Sequence, residues 1–215
     1  MKKIVFLGTL AMFAACIAPA FAQEVPDPWI LRTGVANIDM DKRLKLSVAG
    51  QPVPGTALNY GSIYTAMVEI GRFIDDDWAL VATVGFPPHV AVRGADSISA
   101  VGKLESTTFG PSSFTVQYQP FHEGFAQPYI GAGLAYMIIF STHDAAIQQS
   151  KLTNDLGPAF EVGSDFRVNE QFGLFAEVKK AFLHSTATGT LGGLPIHGTA
   201  TLDPWVFSGG ISIRF

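Results

Sequence analysis

Three residues near the C-terminus of this 215-residue chain have side chains that could perform covalent catalysis. His184 precedes Ser185, and Asp203 follows in the same long segment, so the three are a candidate base, nucleophile and acid. Adjacent Ser and His are common in loops, however, and nothing beside them marks an oxyanion site. We expect that the protein is not an enzyme and keep a lipid-modifying activity that uses Ser185 as one of three hypotheses.

Other residues that could bind a metal or a phosphate have simpler explanations. The five histidines fall in predicted loops and turns, and no two have the spacing of a helical metal pair. They are His89, His122, His143, His184 and His197. Asp75-Asp76-Asp77 is too short to supply the ligands that calcium needs, and Gly131-x-Gly133 lies in a predicted strand, where small residues favour close packing. The sequence therefore indicates no metal and no cofactor.

Apolar and polar residues alternate with a period of two through most of the chain. The clearest stripe is the last one, formed by Trp205, Phe207, Gly209, Ile211, Ile213 and Phe215. Aromatic residues at both ends of such a stripe are typical of a strand that faces lipid. The other alternating segments are 29–38, 64–70, 78–86, 114–118, 160–167 and 172–179. Segment 128–140 is apolar on both faces, so its orientation stays open.

These eight segments predict an all-β chain that forms an eight-stranded antiparallel transmembrane β-barrel. Closure pairs the last strand with the first, because an open edge in hydrocarbon leaves backbone groups without partners. Short links alternate with long loops, as in bacterial outer-membrane barrels. The short links are 75–77, 120–125 and 169–171, and the long loops are 39–59, 87–111, 141–156 and 183–203.

Charged residues on the inward faces predict a polar plug across the lumen. With a three-residue turn at 169–171, Val168 pairs with Phe172, and the same register places Glu161 opposite Lys179. We expect these two to form a cross-strand ion pair inside the lumen. The whole set, called the charged layer below, is Arg32, Glu69, Glu161, Asp165, Glu177 and Lys179. This layer should block a straight aqueous route.

The N-terminus has the features of a secretory signal peptide. A positively charged start and an apolar run at 4–15 precede the small-x-small site Ala20-Phe21-Ala22. We expect a signal peptide at 1–22, cleaved near Ala22, and a barrel domain at 23–215. Lipid attachment at Cys16, the only cysteine, is the alternative. Without Lys2 and Lys3 the chain has 12 basic and 18 acidic residues, a formal charge of −6, so nucleic acid is not an expected partner.

Three segments carry a resemblance to the outer membrane protein W family, OmpW with the alkane-uptake protein AlkL as a relative. They are Leu202-Asp203-Pro204-Trp205-Val206-Phe207 through Gly210 to Arg214-Phe215, Gln127 to Tyr136, and Trp29 with Arg32 and Gly34. Phe109-Gly110-Pro111-Ser112-Ser113 replaces the Leu-Pro-Pro-Thr that the family usually has before its fourth strand. The resemblance implies a Gram-negative outer-membrane barrel whose narrow apolar funnel accepts hydrophobic small molecules and releases them sideways into the membrane.

The residues themselves support an apolar funnel, because segment 128–140 must present apolar side chains to the lumen in either orientation. We expect the funnel near the external end, lined by Leu58, Tyr60, Phe86, Val90, Met137, Ile139 and Leu156. The alternative, that these are girdle and loop-packing residues, uses the same side chains and stays open.

Two further hypotheses stand beside the lipid-modifying enzyme. The first is passive uptake of small hydrophobic molecules, and the second is a structural or recognition barrel whose long external loops bind phage, bacteriocin or host partners. An apolar, partly open outer lumen would favour uptake over recognition. In every case we expect outer-membrane lipid as a partner and recognition of the C-terminal Phe215 by the barrel-assembly machinery.

Overall fold

The computed structural model describes residues 28–215, so the predicted signal peptide at 1–22, with Cys16 and Ala22, lies outside the described part. Within 28–215 the chain forms fifteen strands and one short 3-10 helix, Ser99–Val101. The strands are β1 Trp29–Asp39, β2 Leu44–Val48, β3 Gln51–Val53, β4 Thr56–Asn59, β5 Ile63–Phe73, β6 Trp78–Gly85, β7 His89–Asp96, β8 Lys103–Tyr118, β9 Ala126–Asp144, β10 Ile147–Leu152, β11 Asp155–Arg167, β12 Phe172–Ala181, β13 His184–Leu191, β14 Leu194–Thr201 and β15 Trp205–Arg214. No helix in this range is long and apolar enough to span a membrane.

Eight of these strands form a closed antiparallel barrel, which confirms the predicted fold. Their order around the ring is β1, β5, β6, β8, β9, β11, β12 and β15, and β15 pairs with β1 to close it. At this seam the backbones of Trp29 and Phe215 exchange two hydrogen bonds, of 2.9 and 3.0 Å. A Cβ on Gly34 would lie 2.1 Å from the Gly209 carbonyl oxygen, so the close approach of β1 and β15 requires glycine there. The ring therefore has no open edge.

The outward face of the barrel carries the predicted apolar stripes. On β15, Trp205, Phe207 and Ile211 are exposed, whereas Ser212 is buried on the lumen side. Phe172 and Leu174 on β12 continue the same outward surface. Each of the eight barrel strands carries exposed apolar side chains. Such a surface is unfavourable in water but favourable in lipid, so it is the lipid-facing wall.

The three short connections lie together at one end of the barrel, and two of them, 74–77 and 168–171, are tight turns. Asp75 Oδ1 accepts hydrogen bonds from the backbone N–H groups of Asp77 and Trp78, at 2.9 and 2.8 Å. Asn169 Oδ1 accepts in the same way from Gln171 and Phe172, at 3.0 and 2.7 Å. These side chains replace missing backbone partners, which explains acidic and amide residues at the turns.

The long connections contain strands, contrary to the prediction that they are loops. β4 and β7 extend the barrel sheet, and β10, β13, β14, β2 and β3 form a second five-stranded sheet. β13 and β14 are joined by Gly192 and Gly193, with φ of 58° and 81°, which is a two-residue hairpin signal that sequence reasoning missed. We call the end of the barrel that carries these strands the outer end.

This architecture corrects the placement of several residues. Four histidines lie in strands: His89 in β7, His143 in β9, His184 in β13 and His197 in β14. His122 lies in the short connection after β8, as predicted. Pro111, expected at the end of a loop, lies within β8.

Side chains inside the barrel change from polar to apolar along its axis. The largest cluster of buried apolar residues is at the outer end, where Leu58, Val90 and Met137 pack together. Towards the short turns the interior instead holds buried charged and amide side chains, among them Arg32 and Gln117, with a small apolar cluster around Ile30 and Val81 at the turn end. The charged layer marks the boundary between these two regions.

Candidate functional site

Arg32 lies at the centre of the charged layer. β1 directs its side chain inward, where it is fully buried. Nε and Nη2 donate to the two carboxylate oxygens of Asp165, at 2.9 and 2.7 Å. Nη1 donates to Glu69 and, at 3.1 Å, to Gln117 Oε1. The guanidinium thus holds carboxylates from β5 and β11, two strands that do not pair with each other.

Lys179 is the second cation of the layer, and its predicted ion pair with Glu161 is confirmed. The two residues are directly opposite on β12 and β11, and Lys179 Nζ lies 2.9 Å from Glu161 Oε2. Nζ is also 3.4 Å from Glu177 Oε1 and 3.7 Å from Glu69 Oε2. All six predicted members of the layer are therefore buried in one connected network.

Sequence reasoning missed several neutral residues that complete this network. Thr115 Oγ1 and Gln117 Nε2 each donate to Glu161 Oε1 at 2.7 Å. The Tyr129 hydroxyl donates to Glu177 Oε2 at 3.1 Å. Thr115 and Gln117 lie on the polar side of an alternating segment and could have been found from it, whereas Tyr129 lies on the strand whose orientation was open.

The glycines of the Gly131-x-Gly133 motif allow close packing against this network. A Cβ on Gly131 would lie 2.5 Å from Glu161 Oε1, and one on Gly133 would lie 2.1 Å from the Phe114 carbonyl oxygen. Both positions face the crowded lumen or a neighbouring strand, which confirms the interpretation of the motif as a packing feature.

An apolar cavity of about 80 Å³ lies in the outer end, and we call it the outer cavity. A cavity needs roughly 10–15 Å³ by the same measure to hold one water molecule, so the outer cavity has room for several non-hydrogen atoms of a small molecule. Its walls include Leu46, Val92, Ile98, Leu104, Ile147 and Ile196. Both the barrel and the second sheet contribute residues, so the long connections help to form the cavity.

Five of the seven predicted funnel residues line the outer cavity. They are Leu58, Tyr60, Val90, Met137 and Ile139. Each comes from a strand or connection at the outer end, as expected, and three of them belong to the main buried cluster. Their role in binding a ligand stays a prediction.

Phe86 and Leu156 do not line either cavity, so their assignment to the funnel is wrong. Phe86 is 74% exposed and Leu156 is 58% exposed, both on the outside of the barrel. Leu156 alternates in phase with the exposed Phe160, and Phe86 alternates in phase with the exposed Val84. Strand parity directs both side chains to the lipid side, whatever their height along the barrel.

A second apolar cavity, also of about 80 Å³, lies between the outer cavity and the charged layer. We call it the inner cavity. Its walls include Ala36, Met67, Phe109, Ala135, Leu183 and Val206, and it shares Met137 with the outer cavity. Glu177 and Lys179 of the charged layer form part of its floor. The two cavities are therefore stacked along the barrel axis above a polar base.

The wall of the inner cavity has a break in its hydrogen bonding between β6 and β8. Their pairing runs from Trp78 and Tyr118 to Val84 and Ser112, and stops there. The next pair in this register would be Gly85 and Pro111, but proline has no N–H to donate. Both of these residues line the inner cavity. At this level the barrel wall lacks a β6–β8 backbone hydrogen bond.

One carboxylate lies alone among the apolar walls of the outer cavity. Glu105 is 4% exposed, and Ser150 Oγ donates a hydrogen bond to it. Burial raises the pKa of this carboxyl, while the Ser150 hydrogen bond opposes the rise. Burial also raises the pKa of the Tyr60 hydroxyl, and the nearby Glu105 adds to the effect.

The residues weighed for catalysis are not brought together. Ser185 faces the outer cavity, and its hydroxyl donates to the Thr153 carbonyl oxygen at 3.0 Å. His184 is its neighbour on β13 and is exposed on the opposite face. Asp203 Oδ1 accepts from the backbone N–H of Leu183 at 3.1 Å. Within residues 28–215, no group of three or more His, Cys, Asp or Glu is arranged to hold a metal ion.

Comparison with known proteins gives relatives along nearly the whole chain. Dibenzothiophene metabolism operon protein PahQ of Pseudomonas aeruginosa is 32% identical over 201 residues, which cover 93% of this chain and 94% of PahQ. Outer membrane protein AlkL of Ectopseudomonas oleovorans is 26% identical over 190 residues, covering 87% and 82%.

Solved structures give the same fold. The outer membrane protein OprG from Pseudomonas aeruginosa matches with a TM-score of 0.79 at 24% identity, covering 87% of this chain and 95% of OprG. AlkL in lipid bilayers matches with a TM-score of 0.73 at 25% identity, covering 93% and 95%. The OmpW family model matches residues 28–215. With its closed eight-stranded ring and lipid-facing stripes, the chain is a barrel of the bacterial outer membrane and belongs to the OmpW family.

Proposed function

We propose that this protein mediates passive uptake of small hydrophobic molecules across the outer membrane. They reach the outer cavity from the extracellular side, pass to the inner cavity and leave sideways into the membrane. The stack of two apolar cavities on a charged layer is the observation that carries the proposal. Transfer of apolar surface out of water is favourable by about 25 cal/mol per Å², which supplies the driving force for binding.

The charged layer makes an axial route to the periplasm unfavourable. Its side chains fill the lumen and are held by hydrogen bonds and ion pairs, as the Arg32–Asp165 contact shows. A hydrophobic molecule that passed this level would have to separate buried charges, each of which is costly to leave without a partner. A sideways route avoids that cost.

The break between β6 and β8 is the proposed exit. Gly85 and Pro111 border both the inner cavity and the interrupted hydrogen-bond ladder. Separating two strands is easiest where no backbone hydrogen bond has to be broken. Phe86 and Phe140, exposed beside this level, would place a departing molecule among apolar side chains that face lipid.

The names of relatives fit a hydrophobic substrate. PahQ is named for a dibenzothiophene metabolism operon, and dibenzothiophene is an apolar aromatic molecule. We extend this to the present chain only as a class of substrate, small apolar molecules that include aromatic ones.

The structure also favours uptake over the two other hypotheses. The apolar outer lumen favours uptake over a barrel that only recognises partners through its external strands. His184 and Ser185 lie on opposite faces of β13, and this arrangement likewise favours a protein that is not an enzyme.

Reconstitution in liposomes tests the proposal. The flux of a hydrophobic probe is compared with that of a polar solute of equal size, with protein-free vesicles as the baseline. We expect a several-fold increase for the hydrophobic probe and none for the polar solute. An increase for neither, or an equal increase for both, would contradict the proposal.

A further inference from the structure

The floor of the inner cavity is polar, although its walls are apolar. Glu177, Lys179 and Ser208 all line it, and Glu177 is directly opposite Ser208 in the pairing of β12 and β15. A site for purely apolar molecules needs no such groups at its end. Their hydrogen-bonding capacity therefore indicates which head group the floor accepts.

Lys179 is held by partners within the protein. Its Nζ donates to Thr83 Oγ1 at 3.0 Å and to Ser113 Oγ at 3.1 Å. Its third close contact is the ion pair with Glu161 Oε2 at 2.9 Å, which lacks hydrogen-bond geometry. The ammonium group is therefore surrounded by oxygen atoms of the protein and is already paired with a carboxylate.

The floor does keep unused acceptors. Glu177 is 4% exposed, and its Oε2 accepts from the Tyr129 hydroxyl. Its Oε1 makes no hydrogen bond within the described residues and is 3.4 Å from Lys179 Nζ. Ser208 Oγ is buried and also has no hydrogen-bond partner in this part of the chain. A carboxylate oxygen without a hydrogen bond is a strong acceptor.

The charge of the layer works in the same direction. It holds four carboxylates, those of Glu69, Glu161, Asp165 and Glu177, against the two cations Arg32 and Lys179. An anionic head group would meet this excess of negative charge at short range. The floor is therefore suited to a neutral group that donates a hydrogen bond.

We propose that the inner cavity selects hydrophobic molecules that end in a hydroxyl group, such as phenols, with the hydroxyl donated to Glu177 and the apolar body against Met67 and Ala135. This assignment rests on the proposed uptake function and specifies its substrate class. Ser208 supplies the second polar contact beside Glu177. The hydroxylated molecule sits at the level of the β6–β8 break, so selection happens next to the exit.

Binding of matched ligands to the full chain in lipid nanodiscs tests the assignment. The probes are p-cresol, p-xylene and p-toluate, which share one ring and place a hydroxyl, a methyl or a carboxylate at the same position. Empty nanodiscs correct for partition into lipid. After this correction we expect p-cresol to bind about tenfold more tightly than p-xylene, the size of one hydrogen bond to a charged group, and p-toluate to bind least.

Two variants separate a direct contact from an effect of charge. Glu177→Gln weakens the acceptor on the floor, and Glu161→Gln removes the same charge from the same layer without lining the cavity. We expect the preference for p-cresol over p-xylene to fall about fivefold in Glu177→Gln only, because an amide is a weaker acceptor than a carboxylate. An equal fall in both variants overturns the assignment.

A measurement on the unmodified protein does not depend on how the variants fold. Methyl-labelled Met67 is near the floor, and Met137 lies at the boundary with the outer cavity. Bound p-cresol should show NMR contacts from the ring protons beside its hydroxyl to Met67 and from its methyl group to Met137. The reverse orientation, or tightest binding of p-toluate, overturns the assignment. If neither p-cresol nor p-xylene binds, uptake itself fails, whereas p-xylene binding equal to that of p-cresol overturns only the hydroxyl preference.

Discussion

Gly85 of β6 lies against the ring of Pro111 of β8, at the point where hydrogen bonding between these strands ends. A Cβ on Gly85 would be 2.6 Å from Pro111 Cγ. The proline thus both removes a backbone donor and occupies the space that a longer side chain would need. This pair gives the lateral exit a physical basis that can be changed by one substitution.

Pro111→Ala should slow the release of hydrophobic molecules. Alanine restores an N–H that can donate to β6 and extend the ladder beyond Val84, so the two strands separate less easily. We expect the liposome flux of the hydrophobic probe to fall several-fold. Pro128→Ala is the matched control, because Pro128 also lies in the barrel wall but borders neither cavity. Unchanged flux in Pro111→Ala would place the exit elsewhere.

Ala135→Phe should fill the inner cavity and reduce flux towards the protein-free rate. Ala135 is buried and lines this cavity, so a phenyl ring there displaces the space that a substrate needs. Overpacking costs about 1–3 kcal/mol of stability, which a barrel of this kind should tolerate. Ala132→Phe adds the same ring to the exposed lipid face of the same strand and should leave flux unchanged. If both variants transport at the original rate, the inner cavity is not on the route.

Arg32→Met should destabilise the barrel by about 3–5 kcal/mol, because it leaves buried carboxylates without their cation. Glu69 and Asp165 both depend on this guanidinium for their ion pairs. The free energy of unfolding in urea, measured in lipid, checks the value. Arg72→Met removes an exposed arginine whose guanidinium lies 5.4 Å from the Trp29 ring, and we expect a change below about 1 kcal/mol there. A similar small change for Arg32 would show that the charged layer is not needed for stability.

The lipid-facing stripes and most of the charged layer could be predicted because a strand alternates its faces strictly. Lys179 and Glu161 follow from one turn length and this alternation, and the structure places them in contact. The same rule also applies to Phe86, which is in phase with the exposed Val84. Its assignment to the funnel relied on height along the barrel and neglected parity, so this error was avoidable.

Other features depend on how distant segments pair. Segment 128–140 is apolar on both faces, so only its pairing with β8 and β11 directs Tyr129 and Met137 inward. The break at Pro111 likewise requires the register between β6 and β8. The second sheet of the outer end joins β2 to β14, which are far apart in sequence. Local patterns carry no information about such contacts.

Glu105 should make the stability of the outer end depend on pH. Burial holds its pKa above the ordinary value, which is about 4.3 for glutamate in an unfolded chain. The folded state therefore binds the proton more tightly than the unfolded state. The stabilisation is complete below the unfolded pKa and is lost as the pH rises through the raised folded pKa.

Hydrogen exchange of β8 and β10, corrected for intrinsic rates, measures this effect. Protection in the original protein should fall as the pH rises from about 4, near the ordinary glutamate pKa, to about 7, well above it. Glu105→Gln stays neutral, keeps an acceptor for Ser150 and should show the higher protection throughout. Glu123→Gln changes an exposed residue in a short turn and should retain the pH dependence of the original protein. Equal pH dependence in Glu105→Gln and the original protein would assign the titration to another group.

The same variant should also change transport. Glu105 is the carboxylate among the outer-cavity walls, and its neutral form makes that cavity more favourable for apolar molecules. We therefore expect Glu105→Gln to increase hydrophobic flux at pH 7.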